Sequence, residues 1–251
     1  MNTPIADFLE DYEKKGMLRL HMPGHNGEAP HDITEIAGAD SLYETDSSRG
    51  IIAHSEAIAA KLFGAERTCY SAGGSTLAIQ AALAILRAQG CKTIAAGRCS
   101  HRSLVSSAAL LGLEVKWLYP KEYPSADVDC SKEALSGADA LFLTNIDYYG
   151  GTCRASDPGI PVVVDNAHGS YLKFVSKAGS GREYLHPMEF GFPVISAESA
   201  HKTLPALTGA AYLHFSKGAD FSRAKEMTAL FGSTSPSYLV MESLDKVNGR
   251  L

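Results

Sequence analysis

Three short segments of this sequence carry side chains whose types and spacing could do chemistry. Ser199-Ala200-His201-Lys202-Thr203-Leu204 follows an apolar run and sets a lysine beside an imidazole and between hydroxyls. A partly desolvated lysine near other cationic groups is neutral often enough to attack a carbonyl carbon and hold it as a Schiff base. Without such surroundings a lysine is a solvated surface charge. Val162-Val163-Val164-Asp165-Asn166-Ala167-His168-Gly169 is an apolar run that ends in an acid. An ionised Asp165 there could hold a protonated pyridine nitrogen, and the small Ala167 would leave room for a flat ring. The same aspartate could equally cap the turn that follows. Tyr70-Ser71-Ala72-Gly73-Gly74-Ser75-Thr76 places small residues and hydroxyls ahead of a helical run. Free N–H groups and the positive end of the helix dipole would favour a phosphate at Gly74, Ser75 and Thr76. The segment lacks the lysine of a nucleoside-triphosphate loop and the spacing of a dinucleotide turn. A plain turn with a serine cap would read the same way.

An amine for a carbonyl, an acid for a ring nitrogen and a seat for a phosphate describe one ligand, pyridoxal 5′-phosphate (PLP), provided that the fold brings the segments together. Short β-rich runs recur at Thr93 to Ala96, Glu114 to Leu118, Ala140 to Thr144, Val162 to Asp165, Val194 to Ala197 and Ala210 to Phe215. Helical patterns lie between several of them, chiefly at Ser75 to Gln89, Ser103 to Leu111 and Ser131 to Leu135. This alternation predicts a mostly parallel sheet covered on both faces, a three-layer α/β sandwich. Ligands of such sheets sit beyond the carboxyl ends of the strands, where the three segments fall. Residues 1–50 read as an arm, with an amphipathic helix from Pro4 to Lys15, then Leu18 to Gly24 and a polar stretch, packed on the domain or on a partner subunit. Residues 51–251 read as the large domain. Ala178 to Gly181 reads as an exposed loop. Ser235-Pro236 reads as the cap and first turn of a last helix running to Val247.

With 251 residues, 45% of them hydrophobic, the chain can bury a sizeable core. A net charge of −5 without basic runs leaves no electrostatic footprint for nucleic acid or an anionic membrane, so the expected ligand is small. The five cysteines are scattered, with no Cys-x-x-Cys pair to suggest a metal or a redox couple, which fits a reducing cytoplasm. Met1 to Glu10 lacks the pattern of a signal peptide. The longest apolar stretch, Leu77 to Leu86, is interrupted by Gln80 and too short to span a bilayer.

The sequence resembles the fold-type-I PLP enzymes, specifically the Orn/Lys/Arg decarboxylase family. His21-Met22-Pro23-Gly24-His25, Phe63-Gly64-Ala65, Ser71 to Thr76, Ser100-His101-Arg102-Ser103, Asp165 to Gly169, Ser199 to Leu204 and Thr234-Ser235-Pro236-Ser237-Tyr238 carry the resemblance, in the family's order. It implies that Lys202 forms the Schiff base and later moves protons. It implies that Asp165 pairs with the pyridinium nitrogen, Ala167 packs on one ring face and His101 stacks on the other. A lone loop histidine beside a helix start could instead leave its ring in solvent. Gly74, Ser75, Thr76, Ser199 and His201 would cradle the phosphate, and His168 would reach the ring hydroxyl or order its own loop. Thr234 resembles a residue that reaches the phosphate from the neighbouring subunit, which implies a homodimer. The His21 to His25 segment resembles a signature near the active-site mouth, and Pro23-Gly24 could also be a structural turn. Arg49 and His54 take no role.

What the resemblance implies is decarboxylation of an amino acid, with a basic one such as lysine, arginine or ornithine favoured. Asn166 stands where many members have Glu. Members continue past Thr234 to Tyr238 into a smaller C-terminal domain, whereas this sequence stops at Leu251, so PLP binding with little turnover is an alternative. An aminotransferase or lyase on the same fold is another.

Overall fold

The computed structural model describes residues 2–33, 50–120, 125–153, 156–175 and 184–251. Its sheet has seven strands: β1 (Arg67–Ser71), β2 (Thr93–Gly97), β3 (Glu114–Leu118), β4 (Ala140–Thr144), β5 (Val162–Asp165), β6 (Val194–Ser199) and β7 (Ala211–Phe215). The spatial order is β1-β7-β6-β5-β4-β2-β3. Strands from β3 through β6 run parallel, and β7 runs antiparallel to both neighbours. All six expected runs are strands. β1 is a seventh, whose Arg-Thr-Cys-Tyr-Ser sequence offers no apolar run to announce it.

Successive side chains on a strand point to opposite faces, and the packing follows that rule. Ala140 and Phe142 of β4, Ile195 and Ala197 of β6, and Leu213 and Phe215 of β7 join one core. It is built on α3 (Gly74–Ala88), with α4 (Arg102–Leu111) and α8 (Ala224–Phe231) beside it. Leu141, Leu143, Val162, Val164 and Val194 face a second core across the sheet. Tyr70 and Tyr212 face a third, on the same side, with Ile5, Phe63, Met241 and Leu244. Helix α3 is rich in alanine and leucine, both strong helix formers, and is buried nearly all round because the sheet and α8 both press on it. Full burial of each of its leucines and isoleucines contributes about 1.5–3 kcal/mol. Two shorter helices, α5 (Lys132–Leu135) and α6 (Leu172–Val175), lie in the connections that follow β3 and β5.

The arm packs on this domain over its first helix. α1 (Pro4–Lys14) buries Ile5, Ala6, Leu9 and Tyr12 against α2 (Ile51–Phe63) and α9 (Tyr238–Asn248). Its first turn is capped from far away: Asp245 on α9 accepts the Ile5 and Ala6 N–H groups at 2.9 and 3.0 Å, while Thr3 makes no side-chain cap. α9 begins at Tyr238 with Ser237 as its N-cap residue, two residues beyond the expected start. The Tyr238 N–H is spent on Ile33 O, 3.0 Å away, which ties this turn to the arm. The segment Ala178 to Gly181 and most of the polar stretch of the arm, Arg49 included, lie outside the described residues.

Charge is also buried. Glu198 on β6 lies fully inside, with His186 Nε2 2.8 Å from Oε1 and His214 Nε2 3.9 Å from Oε2. Phe63 covers both rings, at centroid separations of 5.6 and 4.5 Å. Burial opposes the charged form of Glu198, yet the two histidines, with hydrogen bonds from His186 and Asn166, hold its carboxyl down at about 2. Burial pushes His214 down to about 4, with Glu198 opposing. A histidine lowered on folding binds fewer protons folded than unfolded, so stability falls as pH drops from about 6.5 towards 4. His214 alone is expected to contribute roughly 3 kcal/mol of that loss. Urea denaturation of wild type and His214→Gln across this range measures it, and the variant should lack that share.

Candidate active site

Chain order reverses between β2 and β4: the chain passes outward from β2 to β3, then returns to the other side of β2. Beyond the carboxyl ends of strands at such a reversal the loops part and leave a crevice. A cavity of about 240 Å³ lies there, at the ends of β2, β4, β5 and β6. Gly74, Ser75, Thr76, His101, Asp165, Ala167, His168, Ser199, His201 and Lys202 all line it. Thr234 does not; it is exposed in the turn before α9. None of His21 to His25 lines it either. His21 bonds Tyr12 Oη at 2.7 Å, and His25 Nδ1 accepts the Gly27 amide, so within one chain this segment acts as a turn. A larger cavity of about 360 Å³ lies at the amino ends of β5 and β6, lined by Val162, Val194 and two prolines. Among the described residues its charged groups are Asp157 and Asp220, with no amine or imidazole.

The phosphate seat is built by the turn from β1 into α3. Ser71 Oγ donates to Gly74 O at 2.9 Å and accepts the Gly73 amide at 3.3 Å, pinning the bend. Gly74 has φ +73°, a conformation that favours glycine, and a Cβ there would meet nothing within 4 Å. Its own N–H goes to Gly209 O at 2.8 Å, while the Ser75 and Thr76 amides take no backbone partner among the described residues. Across the gap Ser199 Oγ donates to Ser75 Oγ at 2.7 Å.

Asp165 ends β5 and is buried. Its Oδ1 accepts the Ala167 amide at 3.1 Å, so it does cap the following turn, and its other oxygen takes no hydrogen bond among the described residues. Burial raises its carboxyl above the usual range, while the Ala167 bond, Lys202 and His101 pull it down. Such a carboxylate is suited to a cation that enters the cavity.

Lys202 sits in the four-residue helix α7 (Ala200–Thr203), its Nζ 3.1 Å from His168 Nε2. Burial lowers the His168 pKa, and Lys202 and His101 lower it further, which favours the neutral ring, able to accept from Lys202 Nζ. Lys202 is exposed, not desolvated as its chemistry led one to expect. His101 does two things at once. It is the N-cap of α4, its Nδ1 accepting the Ser103 amide at 3.2 Å, and its ring forms cavity wall.

Five lining residues had no sequence signal of their own: Cys99, Thr144, Ile146, Asp147 and Tyr148. Thr144 ends β4 and the other four follow β2 or β4, so the strand-end rule that located Asp165 points to them too. The Tyr148 ring meets His168 edge-on at 5.1 Å. Burial raises the Cys99 thiol, and Asp147 and Asp165 raise it further, which disfavours the thiolate.

These residues fit PLP on the structure's own terms. The open space above Gly74 and the unpartnered amides of α3 suit a phosphate, the second oxygen of Asp165 suits a ring nitrogen, and Lys202 suits an aldehyde. Among the described residues no group of three or more His, Cys, Asp or Glu is placed to hold a metal ion, and no helix is long and apolar enough to cross a membrane.

Comparison with known proteins adds the following. Residues 142–250 match the family model described as Orn/Lys/Arg decarboxylase, major domain. An uncharacterised Bacillus subtilis protein, YaaO, is 30% identical over 98% of this chain and 56% of its own length. An arginine decarboxylase of Bacillus anthracis is 27% identical over 99% of this chain and 55% of its own. The constitutive lysine decarboxylase of E. coli superposes with a TM-score of 0.75 at 18% identity, over 100% of this chain and 41% of that one. The chain thus spans about half the length of the curated relatives it matches. Its sandwich is the large-domain fold of fold-type-I PLP enzymes.

Proposed function

We propose that the chain belongs to the Orn/Lys/Arg decarboxylase family, holds PLP through Lys202 and provides the catalytic large domain for decarboxylating a basic amino acid. The observation that carries this reading is that the Lys202 amine, the Asp165 carboxylate and the Gly74-Ser75 turn, far apart in sequence, line one cavity. Bound there, PLP supplies an electron sink for the pair left behind when CO2 departs. Asp165 keeps a proton on the ring nitrogen by its charge. Ser75, Thr76, Ser199 and His201 orient the phosphate, and Ala167 and His101 confine the ring between them. His168 Nε2, 3.1 Å from Lys202 Nζ, accepts a hydrogen bond from it and orients the lysine, which would attack the aldehyde and later deliver a proton to the product carbon.

In this reading residues 1–50 are the arm and 51–251 the cofactor-binding domain, and Thr234 reaches the phosphate of a partner subunit in a homodimer. Five free cysteines support a reducing cytoplasm. Purified protein mixed with PLP is expected to develop a visible absorbance band that borohydride bleaches, fixing the cofactor on the Lys202 peptide by mass analysis. Release of CO2 from lysine, arginine or ornithine would then identify the substrate. No band, or label on another lysine, overturns the proposal. A keto-acid product in place of CO2 and an amine would point to an aminotransferase.

A further inference from the structure

The three strand ends that reach the cavity share a pattern. Thr144, Asp165 and Ser199 line it, and the residue next to each in sequence, Asn145, Asn166 and Glu198, is buried. Those three neighbours bond to one another across β4, β5 and β6. Asn166 Nδ2 donates to Glu198 Oε1 at 3.0 Å, and Asn166 Oδ1 accepts from Asn145 Nδ2 at 3.0 Å. A carboxylate only accepts, so Glu198 fixes which end of the Asn166 amide faces it, and Asn145 takes the other end. The fit is close: a Cβ on Gly169 would lie 2.0 Å from Asn166 Oδ1. Glu198 is itself held by Ser196 Oγ at 3.0 Å and by His186. His186 Nδ1 accepts the Met188 amide, which turns its Nε2 towards the carboxylate.

We infer that Glu198 is a positioning residue for the cofactor turn, acting through the Asn166 side chain to hold Asp165 and Ala167 in register with Thr144 and Ser199. The inference rests on the PLP reading of the cavity. It explains why a fully buried acid precedes Ser199: glutamine there would present either an amide NH2 group to Asn166 Nδ2 or a single oxygen to several donors.

Two measurements test it with Glu198→Gln, Asn166→Ala and the double variant. In cofactor-free protein, exchange of the Ala167 amide, held by Asp165, is expected to speed about tenfold in each single variant relative to the Val163 amide of the same strand. Equal acceleration at Val163 would mean that the strand as a whole loosens, and unchanged exchange would mean no coupling; either overturns the inference. By PLP titration each single variant is expected to bind about tenfold more weakly, and the double variant no worse than the weaker single. Multiplying losses overturn it. Wild type that binds no PLP refutes the cofactor reading, while the exchange result still decides the role of Glu198. If Glu198→Gln fails to fold, Glu198→Asp, which keeps the buried charge but shortens its reach to Asn166 Nδ2, takes its place in the same cycle.

Discussion

Asp165→Asn is expected to keep the fold and lose the chemistry. The amide is nearly the shape of the carboxylate, and its oxygen can still accept the Ala167 N–H, so the turn survives. The buried charge, which raises the Asp165 pKa, is gone. Between the unfolded value near 3.9 and the raised folded value, the folded protein binds more protons than the unfolded one, so this residue costs stability as pH rises through that window. Cofactor-free Asp165→Asn should therefore be no less stable than wild type at neutral pH and should lack that slope, both measurable by urea denaturation. A neutral amide cannot keep a pyridine nitrogen protonated. CO2 release should fall by on the order of 100- to 1,000-fold, as when one preorganised electrostatic partner is removed. A variant that matched wild-type turnover would remove Asp165 from the reaction.

Lys202→Ala is expected to have the larger effect. It removes the amine that holds the cofactor and the group that moves the proton, so turnover should drop by roughly 10⁴-fold or more, the upper end of what general acid–base catalysis alone supplies. The variant should also fail to be labelled by borohydride with PLP. Lys202 is exposed and its side chain bonds a single imidazole, so thermal stability should change by less than about 1 kcal/mol. A visible, reducible band in this variant would show that another lysine carries the cofactor.

Most of the sheet was legible in the residues because parallel strands buried on both faces are apolar throughout, as Val162-Val163-Val164 is. β1 was not, because its burial depends on β7, which lies more than 140 positions away in the chain. Helix α2 was missed for a related reason: Ile51 to Phe63 has apolar and small residues on most sides, so no period stands out, and only the Gly64 cap at φ +70° marks its end. At the site, Asp165, Lys202 and the Gly74 turn were found because strand ends and small-residue turns carry local signatures. Cys99, Asp147 and Tyr148 carry no such signature of their own and follow from the strand-end rule once β2 and β4 are placed side by side. Glu198 could be placed by no local rule: an acid inside a strand reads as solvent-facing until His186 and His214 are seen around it.

The capping of α1 by Asp245 bears on how the chain assembles as it emerges from a ribosome. The two partners are 240 positions apart, and β1 likewise finds its strand partner in the distant β7. Synthesis at about 5–20 residues per second would leave α1 without its cap for on the order of 10–50 seconds. The middle strands, β2 to β6, can pair while the amino-terminal helix waits. α1 is thus made well before α9 and is among the last elements to be secured, and a nascent chain stalled before α9 should offer α1 to proteases that the finished domain excludes.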